Sequence, residues 1–256
     1  MTAASSTPRA LSFDAVAAQY AANRPSYPAA LFEAIEDMAG RPLTGARVAD
    51  VGAGTGIGTT LLHARGARVV AVEPGDGMAE QFRRDLPDVP IVRGDGNHLP
   101  LATASLDLLT YAQSWHWTDP DRSIPEALRV LRPTGALALW WNSGALDVPW
   151  IDAQVERIER HFGLDRVVGG NGDGTHDALA ACDGRLDFRS RRLRWSRRVP
   201  VDTHLANISS HSLFLVHGEE STAAFVEAER QHLLAVFPDG VVEETYEVGL
   251  LLATRP

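Results

Sequence analysis

The sequence predicts an α/β fold, a parallel sheet laddered with helices, and three observations predict it. Short apolar runs alternate with helix-patterned segments over residues 31–141. The first of these runs, Val48-Ala49-Asp50-Val51, carries an acid and opens into Gly52, Gly54 and Gly56, spaced two apart. The second, residues 68–72, ends in Glu73, roughly 20 residues beyond the first glycine, the separation expected when the tips of two neighbouring parallel strands share a nucleoside ligand.

Taken in order, residues 31–39 read as a short amphipathic helix, followed by the strand of Asp50 and by a helix beginning near Gly58 and running to 64. Strand, helix and strand repeat through Glu73 and the apolar run 89–92 to a fourth strand at 106–111. Residues 124–131 read as a helix stopped by Arg132-Pro133-Thr134-Gly135, before a buried strand at 136–141. A helix near 155–161, a Gly/Asp loop at 163–175, an arginine-rich run at 188–199, a helix over 219–237 and a strand at 248–253 complete the chain. No internal repeat is present, and 256 residues with 45% hydrophobic content form one α/β domain without requiring a second.

The glycine spacing discriminates between cofactors. A dinucleotide fingerprint G-x-G-x-x-G needs glycine at 57 or 59, where the chain has Ile57 and Thr59. Asp50 would also repel a diphosphate at close range, whereas a cationic ligand reverses that sign. Asp50, Gly52, Gly54 and Gly56 resemble the acid-x-G-x-G-x-G motif of the class I S-adenosylmethionine-dependent methyltransferases. The likeness continues through Glu73-Pro74 with Met78, through Gly94-Asp95-Gly96-Asn97, and through Gln113-Ser114-Trp115-His116-Trp117, which is similar to the Q-x-x-H-W of the trans-aconitate and ubiquinone-pathway group. Asn23-Arg24-Pro25-Ser26-Tyr27-Pro28, with Phe13 to Tyr20 before it, resembles that group's N-terminal lid.

The resemblance implies a Rossmann-like, seven-stranded, mostly parallel sheet with helices on both faces and a final antiparallel strand. It divides the domain into a lid (1–40), a cofactor core (41–142) and acceptor-pocket segments with the last strands (143–256). It implies S-adenosylmethionine as cofactor and S-adenosylhomocysteine as product; no metal is expected, since neither a His-x3-His spacing nor a Cys/His cluster is present. Glu73 would bind the ribose, Met78 pack on adenine, Asp95 accept from the adenine amino group and the Gly96 amide reach a ring nitrogen. Tyr20, Arg24 and Tyr27 would close over the cofactor beside Gln113, the aromatics facing the sulfonium. The implied activity is methyl transfer to a small-molecule acceptor. An NAD(P)-dependent oxidoreductase and a catalytically silent S-adenosylmethionine-binding protein are the alternatives. A nucleic-acid amino-methyltransferase is disfavoured, since Ala112-Gln113-Ser114-Trp115 replaces the Asn/Asp-Pro-Pro-Tyr/Phe of that class.

Composition narrows the class further. All 24 basic residues are arginine, which excludes Schiff-base, P-loop and Ser-Lys chemistry and points to a GC-rich bacterial source, where natural-product tailoring would be at home. A net charge of −9 argues against nucleic acid and anionic membrane, and no run reaches the ~18 apolar residues of a membrane span. One cysteine, Cys182, and an N-terminal stretch without an apolar core lead to a cytoplasmic expectation.

His116, just beyond the fourth strand, is the candidate general base, with a loop-bracing role as the alternative. Trp115 and Trp117 divide between packing and acceptor contact. His204 and His211, two turns apart on one predicted helical face, are candidates for the acceptor pocket or for ordinary surface histidines. Arg189, Arg191, Arg192, Arg194, Arg197 and Arg198 read either as a charged edge strand or as an anion-capturing surface.

Overall fold

The computed structural model describes residues 23–164, 186 and 188–254. Helix α1 (Ala29–Ala39) leads into β1 (Arg47–Val51), α2 (Ile57–Ala64), β2 (Arg68–Glu73), α3 (Asp76–Asp85), β3 (Ile91–Arg93) and β4 (Leu106–Ala112). A 3-10 turn (Trp115–Trp117) is followed by α4 (Pro120–Val130), β5 (Leu131–Gly144) and α5 (Pro149–Phe162). The last part comprises β6 (Phe188–Pro200), α6 (Val201–Ser209), α7 (Ser212–His217), α8 (Glu219–Val236) and β7 (Val241–Thr254).

The strands form one seven-stranded sheet in the order β3-β2-β1-β4-β5-β7-β6. Pairings from β3 through β5 are parallel, and β7 runs antiparallel between β5 and β6. Period-two alternation gives the sheet an apolar residue on each face. In β5, Ala136, Ala138 and Trp140 point into one core with Phe32 and Ile35 of α1, Leu62 of α2 and Phe82 of α3. Leu137, Leu139 and Trp141 point into the other, against Ile124, Ala127 and Val130 of α4. Each fully buried Leu or Phe in these layers contributes about 1.5–3 kcal/mol of transfer free energy. A third cluster, built on Leu205, Ile208, Phe214, Phe225 and Leu233, packs α6, α7 and α8 together, with Trp150, Ile158 and Phe162 of α5 against it.

Three local expectations are corrected. Helix α4 starts at Pro120, four residues early, because Asp119 caps it by accepting from the Asp121 amide (3.0 Å) and Pro120 supplies a first-turn residue that needs no donor. Strand β5 begins at Leu131, ahead of the predicted stop. Its pairing jumps from Leu106↔Leu131 to Leu108↔Ala136, so Arg132, Pro133, Thr134 and Gly135 loop out as a bulge that accommodates a proline without an N–H. His204 and His211 do not share a helix. Helix α6 ends at Ser209, where the Ser210 hydroxyl turns back onto the Asn207 carbonyl (2.6 Å), and His211 adopts extended backbone ahead of α7.

The arginine-rich run is the edge strand β6. Arg191 pairs with Asp37 (2.7 Å), Arg194 with Asp147 (2.6 Å), Arg197 with Glu244 (2.5 Å), Arg198 with Asp239 (3.4 Å) and Arg192 with Glu247 (3.6 Å), while Arg189 donates to the Met38 carbonyl. The row is charge-matched, which fits a guarded edge better than an anion-binding surface. Tyr20, the segment before it and the Gly/Asp loop beyond Leu164 lie outside the described residues.

Candidate functional site

A cavity of about 750 Å³ opens at the carboxyl edge of the parallel strands. Neighbouring β1 and β4 lead away to opposite sides of the sheet, and at such a switch point the loops diverge and leave a crevice. The loop ends after β1, β2, β3 and β4 line one end. Trp141 and Asn142 of β5, α5, α6, His211 and Tyr246 of β7 line the other.

At the first end the chain turns sharply through Gly52, Gly54 and Gly56, all with positive φ. Gly54 (φ +58°) faces open space, so a Cβ there would be strained and would intrude on the cavity. Four amides of this turn are already spent. Gly52 and Ala53 donate to the Val72 carbonyl (2.8 and 3.2 Å), Gly56 to Ala53 (2.9 Å) and Gly54 to Glu73 Oε2 (2.8 Å). A phosphate cradle needs these donors free, and here they brace the two strand tips together. Glu73 accepts also from the Gly75 amide (2.8 Å), so its carboxylate is held rigidly on the cavity wall.

Met78, buried on α3, and Asp95, Gly96 and Asn97 after β3 continue the lining. Asp95 Oδ1 caps its own turn by accepting from Asn97 (2.7 Å) and His98 (3.2 Å), and Oδ2 makes no hydrogen bond to the described residues. Gly96 lies so close to Tyr111 and Thr118 that an added Cβ would fall 2.7 Å from Thr118 Cγ2. Gln113 holds a left-handed backbone (φ +56°) and donates to the Tyr27 hydroxyl at 3.2 Å, tying the segment before α1 to the end of β4. Tyr27 lines a small adjoining niche that shares Arg24, Gly52, Gly54 and Gln113 with the main cavity. Carboxylates on the wall and a donor-depleted turn fit a ribose-bearing cationic adenosyl group, and they do not fit a diphosphate.

Three predicted contact residues stand behind the wall instead. Asp50 is completely buried and accepts from Thr59 Oγ1 (2.6 Å) and Thr110 Oγ1 (2.9 Å). Burial pushes its pKa up to about 6 despite these hydrogen bonds. Gly56 packs against Phe82 and Leu86, not the cavity. Trp115 is buried edge-on against Tyr111 at 4.8 Å, because the 3-10 turn directs its indole into the core. Trp117 does line the cavity, as does His116, whose ring leans on Trp117 at 4.5 Å. His116 is open to the cleft and makes no side-chain hydrogen bond to the described residues, yet protein surrounds it closely enough for desolvation to lower its pKa.

The second end is apolar with a polar floor. Trp150, Ile151, Gln154, Val155 and Ile158 recur at helical spacing along one face of α5, joined by Ile208 and Leu213. Beneath them Glu244 Oε1 accepts a hydrogen bond from His204 Nδ1 (2.6 Å) and Oε2 accepts one from Arg197 Nε (2.5 Å). Burial alone would raise the Glu244 carboxyl, but His204 and Arg197 outweigh it and hold its pKa at about 2. Gln154 spans from His204 Nε2 (2.9 Å) to Glu229 Oε1 (2.9 Å), and Arg157 grips both oxygens of Glu229 at 2.6 Å. His204 and His211 thus reach the same chamber from two elements. Gln154, Asn207, Glu244 and Tyr246 were missed in the sequence, although polar Gln154 on the apolar face of α5 was a usable signal.

Known proteins match this chain in sequence and in shape. A family described as a methyltransferase domain matches residues 49–139. An uncharacterized methyltransferase of Mycobacterium tuberculosis is 34% identical over 228 residues, covering 89% of this chain and 87% of the relative. A demethylmenaquinone methyltransferase of Clavibacter sepedonicus is 36% identical over 102 residues, 38% of this chain and 42% of its own. Among solved structures, a protein of Anaeromyxobacter dehalogenans assigned as a type II methyltransferase superposes with a TM-score of 0.67 at 26% identity, covering 91% of this chain and 98% of that one.

Proposed function

The chain belongs to the class I S-adenosylmethionine-dependent methyltransferases, and from that premise we propose that it methylates a small-molecule acceptor within the cavity at the sheet's carboxyl edge. The observation that carries this reading is the continuity of the cavity. The carboxylate-lined turn and the apolar chamber of α5, α6 and β7 share one space of about 750 Å³, within the range that encloses small ligands. The name of the Clavibacter sepedonicus relative, a demethylmenaquinone methyltransferase, supports a small-molecule acceptor.

S-adenosylmethionine supplies an electrophilic methyl group on a sulfonium. Glu73, Met78, Asp95 and Gly96 line the cavity, which supports Glu73 taking the ribose hydroxyls, Met78 packing on the adenine, Asp95 accepting from its amino group and the Gly96 backbone meeting the ring. Arg24, Tyr27 and Gln113 form the lid contact, with Tyr20 ahead of them in sequence, and the turn of Gly52 and Gly54 gives close approach. Asp50 and Gly56 support that turn from behind. Trp117, His204 and His211 line the route of the acceptor. The chain's main task is alignment, and well-oriented reactants gain on the order of 7–11 kcal/mol of the barrier from proximity. His116, neutral near pH 7, is the base that removes the acceptor's proton.

On this reading residues 1–40, 41–142 and 143–256 are the lid, the cofactor core and the acceptor segments of one domain. The setting we propose is bacterial natural-product tailoring in the cytoplasm, without a metal or nucleic acid. Among the described residues no helix is long and apolar enough to cross a membrane. Calorimetric titration with S-adenosylmethionine, S-adenosylhomocysteine and NAD(H), followed by transfer of a labelled methyl group into a library of small molecules, tests the assignment. Binding of NAD(H) alone would overturn it.

A further inference from the structure

We infer that the acceptor is an uncharged molecule with a flat apolar body, anchored by a hydrogen bond from one of its own O–H or N–H groups to the imidazole of His211. This rests on the methyltransferase reading and adds the acceptor's chemical class and a residue that selects it.

The charges on the floor of the acceptor chamber argue first. Glu244 is met on both oxygens by His204 and Arg197, and Glu229 by Arg157 and Gln154. Both carboxylates are 1–2% exposed. A cationic acceptor therefore finds both floor carboxylates already neutralised, the remaining carboxylate of this lining, Glu159, being half-exposed and screened by water, and an anionic one finds Arg157 and Arg197 already committed. An uncompensated charge brought into such a space loses its hydration without gaining a partner. The chamber walls are Trp141, Trp150, Ile151, Val155, Ile158 and Leu213, surfaces that favour an aromatic or alicyclic body.

Within this matched environment His211 stands apart. Its backbone N–H donates to Ile208, but its ring makes no hydrogen bond to the described residues and opens into the cavity. Surrounding protein, Arg24 and His204 all disfavour protonation, so the ring is a neutral imidazole with one acceptor nitrogen at pH 7. An unpartnered acceptor in a largely apolar chamber selects for a ligand that carries a donor and penalises the same ligand without it; the buried Asn207 Oδ1, on the same lining and without a partner among the described residues, adds to that preference, and the His211 ring is the acceptor that the test removes.

The test uses three probes, 2-naphthol, 2-methoxynaphthalene and 2-naphthyl phosphate, in equilibrium dialysis against the full chain saturated with S-adenosylhomocysteine. Wild type is expected to bind 2-naphthol at least tenfold more tightly than either of the others. His211→Phe, which keeps a planar ring and removes the acceptor nitrogen, is expected to bring 2-naphthol down to the level of 2-methoxynaphthalene, with S-adenosylhomocysteine binding and the unfolding midpoint showing that the variant is folded. Equal or tighter binding of the phosphate, no binding of 2-naphthol, or a naphthol preference that survives in His211→Phe would each overturn the inference. Should His211→Phe fail to fold, the wild-type ranking of the three probes decides alone. Failure of wild type to bind S-adenosylhomocysteine would instead bring down the methyltransferase reading beneath it.

Discussion

Replacing Asp50 by Asn isolates the electrostatic cost of the first motif. The carboxyl is fully buried, and desolvation lifts its pKa to about 6 against the opposing hydrogen bonds from Thr59 and Thr110. The folded value lies above the ordinary 3.8, so the stability tied to protonated Asp50 is complete below pH 3.8 and is lost as pH rises through 6. The separation of the two values corresponds to about 3 kcal/mol over the whole window, and to about 2 kcal/mol between pH 4.5 and 7.5. Asparagine carries no charge and leaves the network satisfiable, since Thr110 Oγ1 also lies 3.2 Å from the Ala49 carbonyl and can donate there while accepting from the new amide. Urea unfolding of both proteins at the two pH values is the assay. The difference in unfolding free energy, variant minus wild type, should move by about 2 kcal/mol in the variant's favour on going to pH 7.5. A shift below about 0.5 kcal/mol would refute the argument that burial dominates at this site.

Three further substitutions probe the rest of the cavity. Glu73→Ala should weaken both adenosyl ligands by about 10- to 100-fold in calorimetry, through loss of charged hydrogen bonds, and unchanged affinity would remove Glu73 from the binding site. Glu244, whose pKa is depressed from 4.5 to about 2, contributes stability above pH 4.5 that is lost as pH falls through 2. Glu244→Gln should therefore cost about 3 kcal/mol at pH 7 in urea unfolding, and it should flatten the acid limb of the stability profile; an unaltered acid limb would count against the pairing with His204 and Arg197. His116→Ala should lower turnover with cofactor affinity intact, and unaltered turnover would leave His116 only a bracing role.

The cofactor end was legible in the sequence because its chemistry is local. Strand, glycine turn and the acid of the next strand are fixed by short-range spacing, and Glu73, Met78, Asp95, Gly96 and Gln113 all reach the cavity wall. Motif position did not reveal depth. Asp50 and Trp115 sit one residue from Val51 and Ser114, which do line the cavity, and in a pleated strand or a tight turn one step reverses the direction of a side chain. The acceptor end was largely illegible, because its polar floor joins residues 40–75 positions apart, as in His204 with Glu244 and Gln154 with Glu229. The His204–His211 spacing misled for a local reason, the Ser210 hydroxyl that ends α6.

The contrast between the two ends bears on how the cavity sorts its occupants. Glu73 and Asp95 put carboxylates beside a turn in which the amides of Gly52, Ala53, Gly54 and Gly56 are already used, so that end favours a cation over a neutral or anionic ligand. Had Glu244 and Glu229 stayed unpaired, the far end would offer the same attraction, and a sulfonium would have two competing seats in one cavity. Arg197 and Arg157 neutralise those two carboxylates, with His204 hydrogen-bonded to Glu244, leaving dispersion and, among the described residues, unpartnered acceptors such as the His211 ring and Asn207 Oδ1 to act on whatever enters there. Pairing buried carboxylates with arginine brings little net stability over apolar packing. On the proposed reading its value is discrimination, because the cofactor would have one electrostatically favoured end and the acceptor would be selected for the absence of charge.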